Sequence, residues 1–259
     1  MSRLLFIETS TSLCSTALAE DGHIVCTRRS SEARAHASLT AVFVKEMMDE
    51  AGWGAPDAVC VGMGPGSYTG LRVGVSTAKG LCFGWKVPLI AVCTLDILAQ
   101  QAVENGLPDG CKAILPMIDA RRMEVYTAPY SPSGERLGDV APVILDSGSF
   151  ADLFAAGPVV VIGDAADKFA GIIVAAEPQA CGRAMPGLGT PCGSQTGPLP
   201  GADGPSGGSS AEFIQCCPEA SAMLVPAMRK FEAHDFEDVA YFEPFYLKQF
   251  IATTPKKLF

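Results

Sequence analysis

The turn GMGPGSYTGLRVG (62–74) has the residue types that could hold a phosphate group. Backbone N–H groups and the helix dipole converge where a glycine-rich turn joins a strand to a helix. The Walker A pattern is absent, because neither Lys-Ser nor Lys-Thr follows the glycines. The dinucleotide-binding pattern fits Gly64, Gly66 and Gly70 better, but Pro65 lacks an N–H donor and no acidic residue ends the next strand. The turn therefore gives little support for a dinucleotide site.

Nucleophilic and acid–base patterns are also missing. The motif G-x-S-x-G is absent, because Gly66 directly precedes Ser67. Ser67 and Thr69 are better explained as residues that cap the following helix. Asp119 and Glu124 flank two arginines in IDARRMEVY, a pattern that favours salt bridges at a strand turn over an acid pair. The sequence therefore predicts a protein without a catalytic set of its own.

Metal-ligating patterns are equally sparse. The three histidines, His23, His36 and His234, form no H-E-x-x-H or H-x-x-x-H motif, which argues against a metallopeptidase. The ten cysteines contain no C-x-x-C spacing, so they predict buried free thiols instead of a zinc site or a disulfide framework. We expect no bound metal.

Composition limits the classes of partner. The chain has 259 residues, 48% of them apolar, and a net charge of −9. A protein that grips nucleic acid by itself usually shows a basic face, so any role on tRNA or other nucleic acid is expected to pass through a partner. The sequence shows no signal peptide and no apolar run of about 20 residues, so we expect a soluble cytoplasmic chain without a membrane contact.

Hydrophobic patterning predicts the elements that position the turn. Each strand is a short apolar or alternating run, and the strands are RLLFIET, STALAE, HIVCTRR, AVCVGMG, PLIAVC, AILPMID, EVYTAPYS and PVVVIGD. Helices with 3.6-residue spacing are expected at 33–51, 69–84, 95–103 and 219–233. Strands that alternate with helices in two similar halves predict a two-lobed α/β protein, divided into residues 1–104 and 105–259. The Gly-, Pro- and Ser-rich stretch 178–210 is expected to be a mobile insertion.

Two helices carry more small and apolar surface than one buried side requires. Gly70, Gly74 and Ala78 share a face of the second helix and would let another backbone approach closely. The first helix has two neighbouring apolar stripes instead of one. The second buried side belongs either to this chain's own fold or to an interface with another protein, and the spacing leaves both open.

Motifs spread along most of the chain resemble a known family. FIETSTSLCSTAL (6–18), GMGPGSYTGLRVGVSTAKGL (62–81), IDARRMEVY (118–126), IGDAADKF (162–169) and EPFYLK (243–248) occur in order. Together they resemble the TsaB (YeaZ) family of tRNA threonylcarbamoyladenosine biosynthesis proteins. The stretch 178–210 is not part of this resemblance.

The resemblance implies the two-lobed fold of actin-like ATPases and sugar kinases, with a mixed sheet and helices in each lobe. The counterparts of the residues that face phosphate in that fold are Glu8, Thr9, Ser10 and Thr11. Glu8 replaces the Asp usual in the family, which weakens the case for a magnesium site. The resemblance implies no tightly bound cofactor, with ATP used by the partner proteins.

The resemblance also implies a function. The chain would be a non-catalytic scaffold that activates a TsaD-type transferase, its paralogue, for threonylcarbamoylation of the adenosine next to the anticodon. A TsaE-type ATPase joins that pair. Apart from the resemblance, the exposed apolar helix pair favours a homodimer of the chain in isolation, which would compete with the complex. The alternative is an independent ATPase or sugar-kinase-like phosphotransferase. The implied partner-binding residues lie on the first two helices: His36, Ala37, Ala41, Val44, Lys45, Met48, Gly70, Leu71, Gly74, Val75 and Ala78.

Overall fold

The computed structural model describes residues 1–32, 35–176 and 211–247. The expected mobile insertion at 178–210 and the basic C-terminal end fall outside these residues. Two five-stranded mixed sheets, each with helices, make up the described part of the chain. The prediction of two lobes built from mixed sheets and helices is therefore confirmed.

The first sheet begins as a meander and continues with parallel strands. Its strands are β1 (Arg3–Glu8), β2 (Cys14–Glu20), β3 (His23–Ser30), β4 (Ala58–Gly64) and β5 (Leu89–Cys93). Their spatial order is β3-β2-β1-β4-β5, with antiparallel pairing up to β1 and parallel pairing beyond it. Asp21 and Gly22 both have positive φ in the turn between β2 and β3, as a tight hairpin requires.

Three helices follow strands of this sheet: α1 (His36–Ala51), α2 (Tyr68–Trp85) and α3 (Thr94–Asn105). Helices α1 and α2 pack on one face of the sheet, where Met47 and Val75 meet Ile7 and Val61 in a fully apolar cluster. Helix α3 lies between the lobes, because Ile97 packs against the first sheet and Leu98 against the second. The three predicted helices agree with the observed ones to within a few residues.

The second sheet has the order β10-β9-β6-β7-β8. Its strands are β6 (Ala113–Asp119), β7 (Glu124–Thr127), β8 (Ala141–Ile144), β9 (Val159–Gly163) and β10 (Ala211–Gln215). Helices α4 (Ala151–Ala155), α5 (Ala166–Ala176) and α6 (Leu224–Glu232) complete the described chain. Strands β8 and β10 were not predicted, because each is a short edge strand that buries few side chains.

The end of the chain returns to the first sheet. The 3-10 helix Ala220–Met223 and helix α6 cover its second face, where Met223 and Ala227 pack against Phe6. The division after residue 104 stays a prediction. It assigns residues 220–232 to the second lobe, although they pack on the sheet of the first lobe. The apolar stripe of the segment indicates that it packs on a sheet and cannot indicate which one.

The small face of α2 packs on this chain's own β1. A Cβ added at Gly70 would overlap the carbonyl oxygen of Thr9, and one added at Gly74 would overlap its hydroxyl oxygen. Ala78 is fully buried on the same face. The expectation that these residues contact a partner is therefore wrong, because the sheet already occupies the space in front of them.

We expect Gly70→Ala to lower the free energy of unfolding by about 1–3 kcal/mol, since the new methyl group would overlap backbone. The matched control is Gly80→Ala, on the exposed side of the same helix with nothing within 4 Å of the new atom. It should raise stability by up to about 1 kcal/mol through helix propensity. Urea unfolding measures both. Equal effects would contradict the close approach of α2 to β1.

Candidate functional site

A cleft of about 550 Å³ lies between the two sheets. It opens where the parallel strands of both sheets have their carboxyl ends, the usual place for ligands in open α/β sheets. The loop 10–12 and the turn 65–68 line it from the first lobe, and residues 118–121 with Asp164 line it from the second. His36 and the C-terminal residues 245–247 complete the wall.

Two backbone N–H groups, in the glycine-rich turn and at the start of α2, donate hydrogen bonds within the fold. Ser67 is the N-cap of α2, as predicted, and its Oγ accepts a hydrogen bond from Gly70 N at 3.3 Å. The backbone N–H of Ser67 donates to Ser10 O at 2.6 Å. Thr69 lies within the first turn of the helix instead of capping it. The turn therefore anchors the helix to the loop after β1.

The carboxylate of Glu8 points away from the cleft. Its side chain is 0% exposed and lies against Gly62, where an added Cβ would overlap Oε2. Oε1 accepts from Ser10 N at 2.5 Å, whereas Oε2 has no hydrogen-bond partner among the described residues. Desolvation by burial raises the pKa of Glu8 to about 7, and hydrogen bonding from Ser10 offsets only part of that rise.

Only two of the four phosphate-facing counterparts reach the cleft. Ser10 and Thr11 line it, but Glu8 and Thr9 do not, and Thr9 Oγ1 donates to Gly70 O at 2.8 Å. A magnesium–nucleotide complex needs an ionised oxygen ligand at this edge of the first sheet. The residues present do not fit that complex, because the acid that would face the metal is enclosed and its pKa is raised.

In the second lobe, Asp119 forms its ion pair with a lysine that the sequence did not indicate. Lys168 Nζ forms an ion pair with Asp119 Oδ1, so the predicted salt bridge between Asp119 and its neighbouring arginines is wrong. Asp164 accepts from Asp119 N at 2.8 Å. Burial raises the pKa of Asp164 to about 6. The hydrogen bond from Asp119 N and the charge of Lys168 counteract that rise, and the Asp119 carboxylate adds to it. Lys168 was missed because it comes from α5, far from Asp119 in the sequence.

An aromatic cluster lies at the cleft mouth. The rings of Tyr68 and Tyr246 are 5.0 Å apart, and the guanidinium of Arg72 lies 5.4 Å from the Tyr68 ring centroid. The C-terminal segment is held there by a bond from Phe245 N to Met63 O at 2.8 Å. Lys79 on α2 also donates to backbone carbonyls of residues 240 and 242. The segment EPFYLK signalled family likeness in the sequence and gave no indication of this contact.

A second cavity, of about 250 Å³, is a groove between α1 and α2. Apolar side chains form most of its wall, and Lys45 and Asp49 pair across one turn at its rim. Phe83, near the end of α2, is 84% exposed. We call this surface the α1–α2 groove; it is lined by Ala41, Val44, Lys45, Met48, Asp49, Trp53, Gly54, Leu81 and Trp85.

The eleven predicted partner-binding residues divide into two groups. Those of α1 lie at or near the surface: Ala37, Ala41 and Lys45 are exposed, His36 is half-buried, and Val44 and Met48 line the groove. Those of α2 face the chain's own sheet and are buried: Gly70, Leu71, Gly74, Val75 and Ala78. The α2 assignments are corrected, since the sheet covers this face of the helix. Leu81 and Trp85 of α2 are half-buried and line the groove, and Phe83 is exposed outside it.

A family model described as "TsaD: tRNA N6-adenosine threonylcarbamoyltransferase" matches residues 27–180, more than half of the chain. The chain is also 37% identical to Escherichia coli "tRNA threonylcarbamoyladenosine biosynthesis protein TsaB" over 135 residues. The chain belongs to the TsaD family, in its TsaB (YeaZ) group. The E. coli match covers 49% of this chain and 54% of TsaB, so the chain spans about half the length of the curated TsaB relatives it matches.

Further TsaB-like proteins agree with this placement. An uncharacterized protein of Mycobacterium tuberculosis is 33% identical over 150 residues, which cover 56% of this chain and 67% of that protein. The solved structure of YeaZ from Pseudomonas aeruginosa superposes with a TM-score of 0.69 at 28% identity, over 95% of this chain and 100% of YeaZ. The two-lobed actin-like fold expected from the TsaB resemblance is thereby confirmed.

Within residues 1–32, 35–176 and 211–247, no group of three or more His, Cys, Asp and Glu side chains is placed to hold a metal ion. The same part of the chain contains no helix with the length and apolar character that a bilayer crossing requires. Its eight cysteines are free thiols, and Cys14, Cys60, Cys82 and Cys93 are buried in the cores.

The enclosed carboxyl of Glu8 predicts a specific pH dependence. Its folded-state pKa of about 7 lies above the ordinary glutamate pKa of 4.5, so the folded state holds the proton more tightly. Its contribution to stability is therefore complete at pH 4.5 and below and is lost as the pH rises towards 7. At 1.36 kcal/mol per pKa unit, the loss is about 3 kcal/mol.

We expect Glu8→Gln, which stays neutral, to match the wild type near pH 4.5 and to be the more stable protein at pH 8 by about 3 kcal/mol. Urea unfolding at several pH values measures this difference. The exposed carboxylate variant Glu135→Gln is the control and should show no such trend. A Glu8→Gln difference that stayed constant with pH would show that Glu8 is ionised throughout.

Proposed function

We propose that this chain is the non-catalytic subunit that pairs with a TsaD-type transferase in the synthesis of threonylcarbamoyladenosine in tRNA. The transferase would modify the adenosine next to the anticodon, and this chain would hold it in its active form. The names of the curated TsaB relatives support the pathway. The observation that carries the pairing is the α1–α2 groove, an apolar surface without an internal occupant among the described residues.

Three features of α2 support a protein partner on this side. Gly80 and Gly84 have nothing within 4 Å of an added Cβ, so the described fold does not require glycine at either position. Each glycine still costs the helix about 1 kcal/mol relative to alanine. The exposed ring of Phe83 lies between them, and exposed aromatic side chains are frequent anchors of protein interfaces. A helix of the partner would approach closely over the glycines and enclose the ring.

The interior position of Glu8 supports a non-catalytic role. An actin-like ATPase would need an ionised acid at the end of β1, whereas this carboxyl is enclosed behind the cleft wall. We infer that the chain holds no cofactor tightly and that ATP is consumed by the TsaD-type and TsaE-type partners.

The remaining partners follow from the same proposal. The TsaE-type ATPase joins the pair, tRNA reaches the complex mainly through the transferase, and the assembly works in the cytoplasm. The same apolar surface would pair two copies of this chain when the transferase is absent. That homodimer and the working heterodimer would exclude each other.

We expect Ala41→Glu or Phe83→Glu to weaken pairing with a TsaD-type transferase at least about tenfold, since each puts a charge on an apolar interface. Both positions are exposed, so the variants should fold. The control is Ala151→Glu, an exposed alanine of α4 in the other lobe. Calorimetry with the purified transferase measures pairing. Wild-type affinity in both Ala41→Glu and Phe83→Glu would refute this interface.

Reconstitution tests the function itself. The TsaD-type and TsaE-type proteins, a threonylcarbamoyl-adenylate synthase, ATP, threonine, bicarbonate and tRNA are combined with and without this chain, and modified adenosine is counted. Modification should require this chain, and Ala41→Glu and Phe83→Glu should lose it in parallel with pairing. Equal modification without the chain would refute the scaffold role.

The size of the interlobe cleft favours one second candidate, an independent ATPase or sugar-kinase-like phosphotransferase. Titration of the isolated chain with ATP and magnesium separates the two. The scaffold proposal predicts no binding in the micromolar range. Micromolar binding that Glu8→Ala abolishes would establish the phosphotransferase candidate instead.

A further inference from the structure

The cleft mouth consists of Tyr68, Arg72, Arg121 and Tyr246, and the proposed pairing surface does not use it. Arg72, Tyr68 and Tyr246 form a column in which a guanidinium covers one ring and that ring contacts the next. Tyr68 is 39% exposed and Tyr246 is 38% exposed, so the column ends in solvent at the opening of the cleft. Both tyrosines and Arg121 line the 550 Å³ cavity.

Arg121 and Arg122 form the tip of the β6–β7 hairpin on the opposite wall. Both have positive φ, 69° and 54°, in a turn where asparagine or glycine would avoid the strain. Their side chains make no hydrogen bond or ion pair within the described parts of the chain, since Asp119 is taken by Lys168. Strained backbone that presents an unpaired cation at a cleft is typical of a binding position.

These two walls offer complementary chemistry. An aromatic face that ends a stacked column accepts a nucleobase of any type, and a nearby guanidinium strengthens such stacks. An unpaired arginine across the opening contacts the phosphate that follows the base. The acids deeper in the cleft oppose a phosphate there, so the backbone would remain at the rim beside Arg121 and Arg122.

We propose that the cleft mouth binds an unpaired nucleobase of RNA, which stacks on Tyr246 while Arg121 contacts the adjoining phosphate. The inference rests on the proposed function, which brings the single-stranded anticodon loop to this complex. It adds a direct contact by this chain, beyond the tRNA contact through the partner expected from composition. Because the chain carries a net charge of −9, stacking must supply most of the affinity.

The probe is a fluorescently labelled anticodon stem-loop RNA, titrated with the full chain and followed by anisotropy. Tyr246→Ala should weaken binding by about fivefold or more, the loss typical for one stacked base. Tyr246→Phe keeps the ring and should bind within about twofold of the wild type. Tyr241→Ala is the control, since this tyrosine is 84% exposed and does not line the cleft. Circular dichroism checks that each variant is folded.

Salt dependence supplies an independent readout. Two arginines on a single strand predict a loss of only about sevenfold between 50 and 200 mM salt. A loss above about a hundredfold would show that phosphate contacts elsewhere dominate, and would overturn the stacking proposal. Equal binding by Tyr246→Ala and the wild type, or no RNA binding at all, would also overturn it.

Adenosine monophosphate serves as the competitor. The proposal predicts that it displaces the RNA only at much higher concentration, because it offers a single base without the loop. Displacement at equal concentration would assign the site to a free nucleotide and overturn the RNA assignment. If the chain does not bind RNA but modification still depends on the chain, only this inference is rejected. RNA binding with modification independent of the chain would reject only the scaffold role.

Discussion

The contact between helix α2 and the end of strand β1 is the constraint on which the rest of the structure depends. Gly70 and Gly74 leave no side chain between the helix and Thr9, whose hydroxyl donates to Gly70 O. The bond from Ser67 N to Ser10 O then fixes the first turn of the helix against the loop after β1. The wall of the cleft and the direction of α2 are therefore set by the same few atoms.

Most of the fold could be predicted from local pattern. Strands β1 and β4 are continuous apolar runs, and α1 ends at Gly52, so period and termination both appear in the sequence there. Helix α2 extends past the expected end at residue 84 and is capped by Lys86, whose left-handed backbone is not indicated by its residue type. The edge strands β8 and β10 were not predicted, because few of their side chains are buried. The packing of α6 on the first sheet was not predicted, for another reason. A stripe of apolar residues indicates that a helix packs on another element, but which sheet it packs on depends on the tertiary topology.

The candidate site shows the same limit more sharply. Spacing identified the small face of α2 correctly, but both an internal strand and a foreign helix satisfy that pattern. The charges near Asp119 in the sequence predicted a salt bridge to the adjacent arginines. In the structure Asp119 pairs with Lys168 of α5, and the Arg121 side chain forms no ion pair within the described residues. Tyr68 and Tyr246 lie far apart in the sequence, and no periodicity connects them. Contacts between distant segments therefore required the structure.

The enclosure of the Glu8 carboxyl and the outward surface of α2 have a common physical origin. Gly62, the residue that accommodates the Glu8 carboxylate inside the sheet, belongs to the strand that leads into the turn and α2. Enclosing the acid raises its pKa and keeps it out of the lining of the cleft, where nucleotide chemistry would need an ionised oxygen. Seating α2 through its glycines commits one face of the helix to the end of β1, so Gly80, Phe83 and Gly84 are left exposed. The same packing therefore holds α1 and α2 side by side as a two-helix surface, which in the proposed function is the surface that contacts another protein.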